Sequence, residues 1–393
     1  MKRLLAFIVK PYGIVASTML ISYLMWAFPS FDGNIRKGFD KPFESSNVGV
    51  IVCGIWLITT IGLAYCGFKT GISIKINSKT IDERVSLDSL RPYIILSILG
   101  YIGILYVVLQ LVTNLGIVGI VGAITGGQAN ALKDTLYSDY SAGIASLRYL
   151  TIPSAALGLY HLTRKRFIPL NLLNILALGA VALISSRLSI IFTIFTLLPL
   201  ILVKSNIKIK ATHVIIVLVI LFHLLAALNY SRNIGFYRTI GINNFYLAGF
   251  SEIIAYVGSP FQGFIAAGTL TNDFYLASDI DSSIKTGISF ELSTNSAFLE
   301  LIRNNGTMEA FVIIALFSLV GSFIMGISLK NKNNLLFLLF GSIGYCFAEV
   351  WRVFLFGQGI IYTISIMILV VVVWCIYIPP IRLSSHRFGG SSL

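Results

Sequence analysis

The sequence predicts an all-α, polytopic membrane protein of about ten spanning helices, with one large polar loop on a single face. Three observations predict it. First, 56% of the residues are hydrophobic and 11% charged, against about 25% charged in a soluble domain, so polar surface is too scarce to coat a water-soluble globule. Second, apolar runs recur at the length of roughly 20 residues that a helix rising 1.5 Å per residue needs to cross hydrocarbon about 30 Å thick. Third, Lys and Arg fall in short tufts between those runs, as the positive-inside rule requires.

Taken in order, the runs are 11–29, 48–67, 93–113, 143–162, 167–185, 187–203, 213–229, 307–328, 334–351 and 358–379. Lys2, Arg3 and Lys10 flank the first, and no small-residue cleavage site follows it, so it reads as a retained anchor. With the N-terminus inside, the inner stretches are 1–10, 68–92, 163–166, 204–212, 329–333 and the tail. They carry 18 Lys and Arg against three acids. The inner side is then +15 and the outer side −2, and the reverse orientation would invert the bias. The overall +13 is therefore a topology signal. No basic stripe interleaved with aromatics marks a nucleic-acid face. A single membrane domain covers 1–383, and 384–393 reads as a disordered inner tail.

The outer side holds a charged loop (30–47), a Gly-rich then polar connection (114–142), a tight turn at Ser185-Ser186-Arg187, and the large loop, 229–306. That loop is rich in Tyr, Phe and Ile, which a flexible linker lacks. Its stretch 252–270 is apolar but interrupted by Gly258, Pro260 and Gly263, which suggests an in-plane helix or a re-entrant helix pair. The four cysteines sit in apolar runs without a CxxC, so they read as small buried hydrophobes and not as metal ligands.

Seven arginines lie on the outer side or at outer helix ends: Arg36, Arg148, Arg187, Arg232, Arg238, Arg303 and Arg352, with only four lysines. Guanidinium binds phosphate oxygens bidentately and stays charged when half-buried, so the set suggests an anion site. Individual members have plainer readings. Glu349 lies three residues before Arg352 on the same helix face, a structural ion pair. Arg187 has no such neighbour. Arg232 and Arg238 open the large loop beside Phe236 and Tyr237, aromatics that can pack a sugar ring. At the loop's other end, Glu300 sits among Phe298, Leu299, Leu301 and Ile302, where partial burial would raise its pKa toward a general base. The alternative is a surface Glu paired with Arg303, one turn away. Glu252 is the next acid. The histidines are His161, His213, His223 and His386, none placed on the outer side as a base or metal ligand. Asp279-Ile280-Asp281 is a short DxD pattern that reads as a solvated turn.

Four stretches together resemble the Wzy family of O-antigen and capsule repeat-unit polymerases. They are LISSRLSIIFTIFTLLPLIL (183–202), LNYSRNIGFYR (228–238), IIAYVGSPFQGF (253–264) and STNSAFLELIRNNGTMEAF (293–311). The family's loose Arg-x10-Gly pattern is met by Arg238 and Gly249. The resemblance implies a GT-C-like glycosyltransferase in the bacterial inner membrane, with both termini cytoplasmic and the large loop and active face periplasmic. It implies polymerisation of oligosaccharide repeats carried on undecaprenyl pyrophosphate, without metal or cofactor. Glu300, Arg187, Arg232 and Arg238 would be catalytic; Arg148, Arg303, Arg352, Tyr237 and Tyr256 would bind substrate. The partners implied are the lipid-linked oligosaccharide, the bilayer, and chain-length regulator and flippase proteins, with no nucleic acid. An O-antigen ligase and a lipid-linked oligosaccharide flippase or transporter are the alternatives.

Overall fold

Backbone N–H and C=O groups in hydrocarbon have no water to bond, so apolar runs close their hydrogen bonds internally as helices. The computed structural model follows this rule. It describes residues 7–28, 39, 43–74, 84–125, 129–138, 143–184, 188–204, 241–289 and 295–378, with single positions between 212 and 237. Among them there are helices and no strand, only two isolated bridges, Phe39 to Ile288 and Ser86 to Asn334.

The helices are α1 (Pro11–Ala27), α2 (Asn47–Ser73), α3 (Leu90–Thr125), α4 (Ala129–Ser138), α5 (Thr151–Leu162), α6 (Ile168–Ile184), α7 (Leu188–Pro199), α8 (Phe245–Leu270), α9 (Asp279–Thr286), α10 (Ala297–Asn305), α11 (Thr307–Lys330), α12 (Phe337–Glu349) and α13 (Gly359–Tyr377). A 3-10 stretch, Ile144–Leu150, leads into α5, and a π turn, Leu200–Lys204, ends α7. Among the described residues, five helices are long and apolar enough to cross a membrane: α2, α3, which kinks at Gly116 (φ 68°), α8 with its 3-10 extension, α11 and α13. The helices α1, α6 and α7 with its π turn, and the stretch Leu335–Glu349 containing α12, are shorter but also apolar. The run 213–229 lies mostly outside the described residues.

The bundle has two chemically distinct ends. At one, the connections 84–90, 163–167 and 330–336 and the end of α7 meet. Leu87 N–H bonds Asn333 O at 2.9 Å, and Leu335 N–H bonds Val85 O at 2.9 Å. Asp88 takes Arg164 at 2.8 Å and Lys204 at 3.7 Å. Four stretches read as inner from their charge thus share one end. At the other end lie Phe28, the start of α2, and the layer built from α8, α9 and α10.

Between these ends, α2 and α11 run parallel at close range. A Cβ on Gly71 would come 2.2 Å from Phe323 O, and one on Gly326 2.5 Å from Phe68 O, so only glycine permits this approach. Helices α3 and α6 are joined by a buried polar chain. Tyr93 donates to Asn171 Oδ1 (2.9 Å), Asn174 donates to Tyr93 Oη (2.8 Å) and Ser97 Oγ (2.9 Å), and Tyr101 donates to Asn174 Oδ1 (2.8 Å). Such pairs satisfy amides that have no water to turn to.

Helix α8 corrects one expectation. The stretch 252–270 is neither interrupted nor a helix pair; it belongs to one helix of 26 residues that carries Pro260 inside it. Its glycines are contact points. A Cβ on Gly258 would lie 3.0 Å from Met25 C, on Gly263 2.1 Å from Asn295 Oδ1, and on Gly268 2.4 Å from Cys53 Sγ. Small residues let other chains close on the helix instead of breaking it. Its bonds to α1 lie at that helix's last third, where Ser22 donates to Val257 O (2.6 Å) and Trp26 to Gln262 Oε1 (2.9 Å). Its partners Cys53 and Trp56 lie within the first ten residues of α2. Helix α8 therefore packs along the last third of α1 and the first ten residues of α2.

Candidate functional site

The loop-end layer is stitched to the bundle by side chains the sequence spreads over 300 residues. Gln262, fully buried on α8, accepts from Trp26 of α1 and donates to Thr286 O at the end of α9 (2.7 Å). Ser296 caps α10, and the next residue, Ala297, donates its N–H to Trp351 O at 3.2 Å. Phe298 is then slotted between Trp56 (centroids 5.4 Å apart, 16° between planes) and Trp351 (5.5 Å, 19°), with Phe264 against all three. Trp351 Nε1 bonds back to Val15 O and Thr18 Oγ1 on α1. This aromatic stack fixes α10 against the link 349–358 that joins α12 to α13.

Two candidate groups hang on that link. Glu300, two residues on from Phe298 along α10, is exposed at the surface of the layer. Burial of its carboxyl by the surrounding protein raises its pKa. A hydrogen bond from Phe354 N–H and the charge of Arg303 oppose the rise, and Asp279 adds to it. The apolar setting read from Phe298-Leu299-Glu300-Leu301-Ile302 thus has the expected electrostatic direction. Arg352 sits two residues before Phe354. Its Nε bonds Glu349 Oε2 at 2.6 Å, the pairing that the three-residue spacing suggests. Its Nη2 is buried without a partner among the described residues. Tyr256 of α8, half-buried, lies within electrostatic reach of the same guanidinium.

Arg303 is engaged differently from the simple one-turn pairing. Its Nη1 bonds Asp279 Oδ1 at 2.6 Å and its Nε bonds Ala277 O at 3.0 Å. Glu300 has the Phe354 N–H instead. The DxD residues head α9. Asp279 holds Arg303, while Asp281 takes the Ser278 hydroxyl at 2.7 Å, a bond that lowers its pKa. Both carboxylates also favour the positive N-terminus of that helix. Among the described residues no three His, Cys, Asp or Glu side chains are grouped to hold a metal ion.

The other candidates are dispersed. Arg148 is fully buried in the 3-10 stretch before α5. It donates to Ala145 O (2.7 Å) and Tyr149 Oη (2.9 Å), with its guanidinium 4.4 Å from the Tyr149 ring centre. Tyr237 is buried and stacked on Tyr230, 6.0 Å and 16° apart. Glu252 is buried on α8. Arg187, Arg232 and Arg238 lie outside the described residues.

Sequence reasoning found Glu349 as the partner of Arg352 but missed Phe354 and Trp351 as parts of this site, and Gln262 as its clamp. The one available signal was Glu349-Val350-Trp351-Arg352, a charged and aromatic cluster ending an apolar run. The chain matches no protein-family model, no curated protein and no solved structure.

Proposed function

We propose that the protein is a membrane glycosyltransferase that polymerises oligosaccharide repeats from undecaprenyl pyrophosphate at the periplasmic face of a bacterial inner membrane. In this reading the chain makes ten spans, the termini are cytoplasmic, and the α8–α10 layer belongs to the periplasmic loop. The observation that carries the proposal is the link 349–358. It ties a carboxylate with a raised pKa, Glu300, to a segment bearing a guanidinium with an open N–H, Arg352.

That pair suits glycosyl transfer from a lipid diphosphate. The donor sugar is already activated, so no nucleotide is needed. As the glycosidic C–O bond to the pyrophosphate breaks, charge grows on the departing oxygen, and a fixed guanidinium stabilises it. The acceptor hydroxyl must lose its proton as its oxygen attacks the anomeric carbon. A carboxylate whose pKa lies above the ordinary range takes that proton more readily. Arg187, Arg232 and Arg238 would supply further cations to the two phosphates, with Arg303 and Tyr256 binding substrate. Chain-length regulator and flippase proteins would be its partners.

The test is a surface-polysaccharide gel from cells expressing variants. Glu300→Gln and Arg352→Gln should leave the single-repeat glycolipid and abolish the ladder of longer chains. A normal ladder in both variants, at normal protein levels, removes this site from the mechanism. Loss of all surface glycan, including the single repeat, would favour a flippase instead.

A further inference from the structure

Helix α9 hides polar side chains and exposes apolar ones. Its buried residues are Ser282 and Thr286, while Ile284 is 74% exposed and Ile280 61%. Leu276, four residues before Ile280, extends the row and is also 74% exposed. Its backbone φ of 55° is one that glycine adopts more readily, so the leucine adds an apolar side chain where the backbone alone favours none. At about 100° per residue, α9 has three flanks. Ser282 and Thr286 point into the layer. Asp281 and Lys285, both exposed, lie about 100° round from them, and Ile280 and Ile284 about 100° further. A helix at the boundary of lipid and water has that arrangement: one flank on protein, one charged flank in water and one apolar flank among acyl chains.

The second observation is where the row sits. Thr307 Oγ1 donates to Asn272 Oδ1 at 3.1 Å, Leu276 N–H bonds Arg303 O at 3.0 Å, and the Tyr275 ring packs beside Gly306. These contacts hold residues 272–276 at the first turn of α11, a helix long and apolar enough to cross a membrane. The exposed apolar side of α11 begins there, with Met308, Val312 and Leu316 spaced four residues apart. The row on α9 thus starts at the level where the outward face of a spanning helix starts. Tyr275, exposed at the same level, is a residue type enriched at membrane–water interfaces.

We infer that α9, although part of the polar loop, is seated in the bilayer surface at the loop end. Leu276, Ile280 and Ile284 lie among acyl chains near the headgroups, and Asp281 and Lys285 face water. Continuity with the outward face of α11 selects lipid as the occupant over a second copy of the chain. The seat also fixes Asp279, and through it Arg303, at the headgroup level. A substrate reaching Glu300, one turn before Arg303, would then be carried by a lipid. That consequence rests on the transferase reading; the seating does not.

The test uses nitroxide labels on the full-length protein in vesicles of phosphatidylcholine and phosphatidylglycerol. Cys66, the exposed cysteine, is first replaced by Ser, while Cys53, Cys346 and Cys375 are buried. Single labels are then attached in Ile280→Cys, Asp281→Cys, Ile284→Cys and Lys285→Cys, with Val312→Cys on α11 as the lipid reference. Collision with oxygen, which concentrates in lipid, is compared with collision with a water-soluble nickel chelate. The oxygen-to-nickel ratio should be several-fold higher at 280 and 284 than at 281 and 285, and should approach that at 312. A ratio at 280 and 284 as low as at 281 and 285, with 312 high, overturns the seating. So does shielding of 280 and 284 from both reagents, which would mean that protein covers them. A low ratio at 312 as well would overturn the seating together with the membrane setting of α11. Polymer synthesis plays no part in the readout, so failure of the transferase reading would leave the result unchanged.

Discussion

The two ends of this bundle use charge in opposite ways. At the basic end, Asp88 is shared by Arg164 and Lys204; Asp88 and Arg164 each keep 30% of their side-chain surface exposed, and Lys204 keeps 13%. Solvent screens such pairs, so they hold connections together loosely and set orientation more than stability. At the loop end, Glu349 and Arg352 keep 11% and 14% of theirs. There each charge needs a specific partner, and an incomplete set leaves a group that can act on a ligand. The difference teaches where to look for chemistry in a chain with many cations. The abundant basic end is the ordinary one, and the sparse, enclosed end is the candidate site.

The comparison can be broken most severely at Glu300. Glu300→Gln keeps the shape and should lower polymer formation by about 100-fold or more, the scale of a lost general base. It should leave melting temperature near wild type, measured on purified protein beside the gel ladder. Next is Phe298→Ala, which empties the slot between Trp56 and Trp351 and should destabilise the loop-end layer by about 3–5 kcal/mol. Hydrogen exchange should quicken in α10 and residues 349–358 while the Asp88 end stays protected. Uniform loosening of both ends would contradict the idea that the stack is local.

A smaller effect is expected at Asp88. Asp88→Asn leaves Arg164 and Lys204 facing each other and should cost about 1 kcal/mol or less, because the pairs are partly exposed. Thermal melting should fall slightly, with activity per folded molecule unchanged. The finest test sharpens Glu300 itself. Arg303 lowers the Glu300 pKa and Asp279 raises it. Acid that must lose its proton to act fails as pH drops through its pKa. Arg303→Gln should therefore move the acid limb of the activity profile to higher pH, and Asp279→Asn to lower pH. An unmoved limb in both variants would assign it to another group.

Much of the architecture was legible before any coordinates. Helices occupy the apolar runs because backbone groups in hydrocarbon must pair within the segment, a local rule that composition reveals. The meeting of residues 84–90, 163–167 and 330–336 with the end of α7 follows from charge partition, which is equally local to each connection. The direction of the Glu300 pKa agrees with the apolar setting read around it, although Phe354 and Asp279, which also act on it, come from other segments. The continuous course of α8 was not legible. Gly258, Pro260 and Gly263 read as breaks, and only the chains that close on those glycines show why the helix persists. Nor could sequence choose between Glu300 and Asp279 as the partner of Arg303, because both choices satisfy charge and the fold of residues 275–279 decides it. Sequence by itself determined which segments are helical and which connections are basic, for those depend on partition between lipid and water. The tertiary structure alone decided that the Phe354 N–H, on the same link as Arg352, stands at the Glu300 carboxylate. That depends on Phe298 stacking between Trp56 and Trp351, a packing of rings contributed by three distant segments.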